Sequence, residues 1–279
     1  MSWLKILLIG LSAAVAVTSA AHWSFSSRPA TAATAMRPGF DANVLPGNDD
    51  ESTGLVPIGF TLNFFGTSYG SLYVNNNGNV TFDFPLGEYT PFDLTSTERV
   101  IIAPFFADVD TRTGNVATYG TGTVDGRPTF GVNWPGVGCY SEIITVLNSF
   151  QVLLIDRSDF SPGDFDIEFN YNAVQWEAGT ASGGDATCLG GAAARVGFSN
   201  GTGQPSTFFE LPGSAINGAF LDSNTDTGLV HNGLESTTLG RYLFRIRGGL
   251  PQPISTSVPT ATATPTLPME TPAPTALQT

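Results

Sequence analysis

Between residues 41 and 247 the chain never holds a helical apolar period. Short runs of β-branched and aromatic residues alternate there with Gly, Asn, Asp and Pro. Runs this short bury their side chains by pairing edge to edge and stacking face to face. The pattern therefore predicts an all-β fold, a single antiparallel sandwich-like domain. The sharpest local signal is Leu72-Tyr73-Val74 and Val80-Thr81-Phe82-Asp83-Phe84 on either side of Asn75-Asn76-Asn77-Gly78-Asn79, where Asn-Gly suits a tight hairpin turn. Further strands are expected over residues 58–65, 100–107, 116–119, 129–134, 143–156, 165–171, 194–198 and 242–246. Phe150-Gln151-Val152-Leu153-Leu154-Ile155 is apolar almost throughout, as a strand central to two packed sheets should be. Phe165-Asp166-Ile167-Glu168-Phe169 alternates, which predicts one wet face.

Both ends read differently from the middle. Residues 1–21 carry one cation, Lys5, then an apolar run and the small-residue exit Thr18-Ser19-Ala20-Ala21, the pattern of a secretory signal. That run is shorter than the ~20 residues a membrane span needs, so no transmembrane anchor is expected after processing. Residues 22–40 read as a flexible segment and residues 41–247 as the β domain. Residues 248–279 read as a disordered Thr/Pro-rich tail, extended by its prolines and poor in anything a core could bury. The middle has ample material for a core, with 20 Phe and 4 Trp in the whole chain and 13% charged residues.

A formal charge of −13 repels nucleic acid and anionic lipid. Lys5 is the only lysine, so the processed chain has none for a Schiff base, a phosphate-binding loop or an isopeptide bond. Cys139 and Cys188 are the only cysteines. In an exported chain such a pair predicts one disulfide, whose loop of about 50 residues contributes roughly 4 kcal/mol in the loop-entropy account. A metal or thiol-redox site would need a close Cys-x-x-Cys or nearby His ligands, and neither is present.

Taken in order, Asp49-Asp50-Glu51-Ser52, Phe64-Phe65-Gly66, the run from Tyr73 to Phe82, Ile102-Ala103-Pro104-Phe105-Phe106-Ala107-Asp108-Val109-Asp110, Phe130-Gly131-Val132-Asn133-Trp134, Asn148-Ser149-Phe150-Gln151, Phe169-Asn170-Tyr171, Trp176 and Arg195-Val196-Gly197-Phe198 resemble the nidogen-like (NIDO) domain. The resemblance covers residues 41–201. It implies a secreted or cell-surface module for cell-matrix adhesion, with an extracellular protein or glycan as ligand and no catalytic role. Unlike the animal architectures, the chain carries no Cys-rich repeats beside the domain.

Chemistry could still sit among the acids. Asp108 and Asp110 lie at a strand end beside a turn, and Asp49, Asp50 and Glu51 could join them from the N-terminal loop. Asp108, Asp110 and Asp50 are the candidate ligands for calcium, which takes six to eight oxygens; the same residues also read as a solvated acidic loop with Asx turns. Asp222-Ser223-Asn224-Thr225-Asp226-Thr227-Gly228 has calcium-loop spacing, but its Gly comes late and no bidentate Glu follows, so a polar turn is expected. A carbohydrate-active enzyme would use a pair among Glu142, Asp156, Glu168 and Glu177. A sugar-binding module would use exposed Trp134, Tyr140 or Trp176, aromatics expected mostly in the core. His231 reads as a loop residue without a nucleophile beside it. Asn79-Val80-Thr81 and Asn200-Gly201-Thr202 match the glycosylation sequon.

Overall fold

The computed structural model describes residues 34–254. Its strands are β1 (Asn43–Val44), β2 (Val56–Phe64), β3 (Thr67–Asn75), β4 (Asn79–Thr81), β5 (Val100–Phe106), β6 (Val109–Asp110) and β7 (Thr118–Val124). They continue as β8 (Arg127–Cys139), β9 (Ile143–Asp156), β10 (Phe165–Ala173), β11 (Arg195–Asn200), β12 (Phe208–Glu210), β13 (Arg241–Arg247) and β14 (Leu250–Pro251). No α-helix occurs among the described residues. The larger sheet orders β1, β7, β8, β9, β10, β13 and β14, with β6 on the far end of β8; the smaller orders β12, β11, β5, β4, β3 and β2. All these pairings are antiparallel.

The long hairpin of β7 and β8 turns at Asp125-Gly126, both residues at positive φ (50° and 76°), which is the two-residue type I′ geometry. The apolar run in β9 is buried from Phe150 to Ile155, as its central place between β8 and β10 requires. The core lies between the sheets. Phe150 of β9 stacks on Trp134 of β8 at 4.9 Å and meets Phe105 of the facing β5 at 5.3 Å. Phe105 in turn meets Trp176 edge-on at 5.7 Å. Cys139 and Cys188 form the expected disulfide, both fully buried, fastening the end of β8 to the segment before β11.

Three expectations need correction. Asp166 and Glu168 of β10 are 4% and 2% exposed, so the strand has no wet face. Arginines cover them: Arg157 and Arg247 reach Asp166, and Arg37 and Arg241 reach Glu168. Residues 34–40, expected to be flexible, lie on that face, with Ala35 and Phe40 buried. Leu250 and Pro251, expected in the tail, pair as β14 with Arg247 and Ile246. The rest of the expected tail, residues 255–279, lies outside the described residues, as do the signal segment and residues 22–33.

Phe150 contacts both sheets, so Phe150→Ala should cost about 3–5 kcal/mol in urea unfolding, the usual range for deleting a buried ring. Reducing the disulfide should lower stability by roughly 4 kcal/mol.

Candidate metal centre

The hairpin between β3 and β4 assembles this region. Asn75 pairs with Asn79, leaving a loop of residues 76–78 closed by Gly78 at φ 72°. Only Gly78 takes positive φ there, so the turn is a three-residue one rather than the tighter Asn-Gly form. Asn75, Asn76, Asn77 and Asn79 are all fully buried. A buried carboxamide must place both donors and its acceptor, and these do so on neighbouring loops. Asn76 Nδ2 donates to the carbonyls of Asn48, Asp49 and Val109, while its Oδ1 accepts from Thr111 Oγ1 at 2.8 Å. The Asn76 carbonyl accepts from Trp134 Nε1 at 3.0 Å. Asn77 Nδ2 donates to Asp50 Oδ1 at 2.9 Å, and its Oδ1 accepts from the Val109 amide at 2.9 Å. The hairpin thereby binds the acidic segment around Asp49 to the turn between β5 and β6.

One carboxylate oxygen from each of Asp49, Asp50 and Asp108 lies within 4.8 Å of the others. Calcium holds oxygens at about 2.3–2.6 Å, so oxygens on opposite sides of the ion stand roughly 5 Å apart, and the three fit around one cation. Asp108 is 1% exposed, and its hydrogen bond from Ser182 Oγ is long, 3.4 Å. Burial first, then the charges of Asp49 and Asp50, push the Asp108 carboxyl up to about 7. Burial, then Asp110 and Asp50, raise Asp49 to about 6, with Arg112 pulling the other way. Asp49 Oδ1 is shielded from solvent and has no hydrogen-bond partner.

Asp110 stands apart from the cluster. Its Oδ1 accepts from Arg112 Nε at 3.0 Å, its Oδ2 from Arg112 Nη2 and from the Glu142 amide. Burial raises its carboxyl, but the Arg112 and Glu142 hydrogen bonds outweigh that and hold it below the usual range. Of the expected trio, Asp50 and Asp108 meet; Asp49 takes the place given to Asp110, and Glu51 faces solvent. Nothing in the spacing of Asp108 and Asp110 shows that Arg112 would claim one of them.

The other candidates are occupied elsewhere. Glu177 is buried, its two oxygens accepting the amides of Gly190 and Gly218. Glu168 is held by Arg37 and Arg241, Glu142 accepts from Thr113 Oγ1, and Asp156 accepts from Ser158. Trp134 and Trp176 are fully buried, and Tyr140 lies under the Arg112 guanidinium. In the 222–228 segment Asn224 Oδ1 accepts the amides of Asp226 and Thr227, a polar turn as expected. His231 Nε2 lies 2.8 Å from the Asp222 carbonyl. Asn79 is buried with its amide donated to the Asn77 carbonyl, whereas Asn200 sits half-exposed at the end of β11.

Asn76→Ala should cost about 2–4 kcal/mol in urea unfolding, because it strands several buried groups at once, each worth about 1–3 kcal/mol.

Residues 70–248 match the Nidogen-like domain family. Alpha-tectorin of Mus musculus is 33% identical over 73% of this chain and 10% of its own length. Nidogen of Drosophila melanogaster is 28% identical over 67% of this chain and 15% of its own length. Nidogen-2 of Mus musculus is 33% identical over 42% of this chain. The chain thus spans about a tenth of the length of the alpha-tectorins it matches. No solved structure matches it. These relatives are secreted matrix proteins, and the chain is extracellular like them. Among the described residues, no helix is long and apolar enough to cross a membrane. By this match and its all-β architecture, the chain belongs to the nidogen-like domain family.

Proposed function

We propose that this chain is an extracellular adhesion module that binds a matrix protein or surface glycan and uses a bound calcium ion to set the loops around Asp49 and Asp108. The observation that carries the reading is the set of three converging carboxylates, two of them raised by burial and mutual charge, at loops held by the asparagine hairpin. Family membership supports a binding role, because the alpha-tectorin and nidogen relatives are matrix proteins. The candidate residues for glycoside hydrolysis are each tied to an arginine, an amide or a hydroxyl, and the two tryptophans a sugar platform would need are in the core.

Calcium fits the donor set as a hard, oxygen-preferring cation, with carbonyl and water oxygens to complete its shell. Cation binding to the folded state stabilises it by mass action. Differential scanning calorimetry at pH 7.5 should show the melting temperature rising with millimolar calcium and falling with chelator. Asp108→Asn should flatten that response. At pH 5, with the Asp49 and Asp108 carboxyls protonated, the calcium shift should shrink. A melting curve indifferent to calcium at pH 7.5 removes the ion from the proposal. Binding itself is tested by screening the secreted chain against arrayed matrix proteins and glycans. Retention of none, together with turnover of a glycan in the same screen, would overturn the adhesion reading.

A further inference from the structure

The outer face of the larger sheet carries a built cradle for a short peptide, filled here by the chain's own residues 35–40. Glu168 of β10 takes the Arg37 guanidinium in a two-pronged pair, Nε to Oε1 at 2.7 Å and Nη2 to Oε2 at 2.9 Å. Gln151 of β9, fully buried, grips the same residue's backbone: its Oε1 accepts the Arg37 amide at 3.0 Å and its Nε2 donates to the Arg37 carbonyl at 2.8 Å. Arg241 of β13 donates to the Ala35 carbonyl at 2.7 Å, and Asn133 of β8 donates to the carbonyls of Gly39 and Phe40 at 3.0 and 3.1 Å. Gly39 and Phe40 both take positive φ, 94° and 63°, which turns the Phe40 ring down onto the sheet. The ring packs with Val124, Leu153 and Ile155. A Cβ on Gly131 would lie 2.5 Å from Phe40 Cγ, and one on Gly122 2.9 Å from Phe40 Cε1, so the seat exists because both positions are glycine.

Two features separate this arm from an ordinary part of the sheet. Every hydrogen bond that its backbone makes to the sheet is to a side chain, so it can leave without opening a ladder. Residues 41–44, which join it to the domain, are all exposed and end in the two-residue edge strand β1. The connection can therefore be re-routed at little loss of buried contact.

We propose that the cradle is a binding site for an Arg-Pro-Gly-Phe segment and that its partner in trans is the same arm of a second copy of this chain, so that reciprocal arm exchange links two domains. The recognition is a paired guanidinium and carboxylate, a gripped peptide unit and an aromatic ring three residues on. All of these complements occur in one sequence, which makes the contact self-complementary, as exchange between identical chains requires. Tethering gives the cis arm an effective concentration of order mM, so isolated chains close on themselves and exchange gains when copies are crowded on a surface. This inference goes beyond the matrix-binding reading and does not need the calcium centre.

Charge reversal in the full secreted chain separates exchange from a fixed strap. In R37E the arm meets Glu168 with like charge, and in E168R the cradle repels Arg37; mixed, each arm matches the other chain's cradle. Native mass spectrometry of the equimolar mixture at micromolar concentration and low salt should show a one-to-one heterodimer. Each variant alone, and the doubly reversed R37E/E168R chain, should stay monomeric. Should E168R fail to fold beside Arg241, a fluorescent peptide of residues 34–42 decides. It should bind R37E at least tenfold more tightly than it binds the unaltered chain, whose cradle is filled, and its Arg-to-Glu counterpart should not bind. A mixture that stays monomeric, or a peptide that binds neither chain, overturns the proposal and leaves the arm a permanent strap.

Discussion

The buried hairpin of Asn75, Asn76, Asn77 and Asn79 is the constraint on which the loops around it depend. Four carboxamides removed from water would be costly unless each donor and acceptor found a partner. Their partners are backbone groups of Asn48, Asp49 and Val109 and side chains of Asp50, Thr111, Thr81 and Asn79. Satisfying the hairpin therefore positions three other segments. Trp134, whose indole nitrogen donates to Asn76, carries the same constraint into the core through its stack on Phe150. Core packing and loop placement are in this way one problem with one solution, and Asp50 and Asp108 meet as a consequence.

How much of this was legible beforehand varies with the range of the cause. Strand positions followed from local pattern: β9 spans the expected 143–156, and β5, β10, β11 and β13 differ from expectation by a residue or two. The disulfide followed from there being two cysteines in an exported chain. β12, three residues long at the edge of its sheet, has too short a run to register as a period. The wet face expected for β10 failed because alternation reports chemistry and not cover. Asp166 and Glu168 are polar as the pattern says, yet arginines from distant segments bury them. The candidate site was half legible for the same reason. Asp50 and Asp108 were readable as acids near turns, but Arg112's choice of Asp110 over them is a matter of geometry two residues away.

The distribution of arginine gives the charge pattern its meaning. Each described arginine stands in an ion pair with a carboxylate. Exposed pairs of this kind contribute little to stability. Those on Asp166 and Glu168 differ because their acids are buried and each is held by two arginines, and removing both would leave a charge without water or counter-ion. The outer face of the large sheet thus stays neutral and covered by spending several of the few cations the chain has.

The Asp49, Asp50 and Asp108 cluster receives no comparable share. Its nearest cation, Arg112, sits 3.4 Å from Asp49 and is committed at closer range to Asp110. Asp108, the most buried of the three, has no arginine partner among the described residues. A fold that neutralises Asp166 and Glu168 twice over here gathers three carboxylates with one shared guanidinium at their margin, a charge that protons or an external cation can balance. Protons serve only below the raised ranges of about 6 and 7. At neutral pH the calcium ion proposed above would answer the same electrostatic need without holding the carboxyls protonated, at acids that the asparagine hairpin brings together.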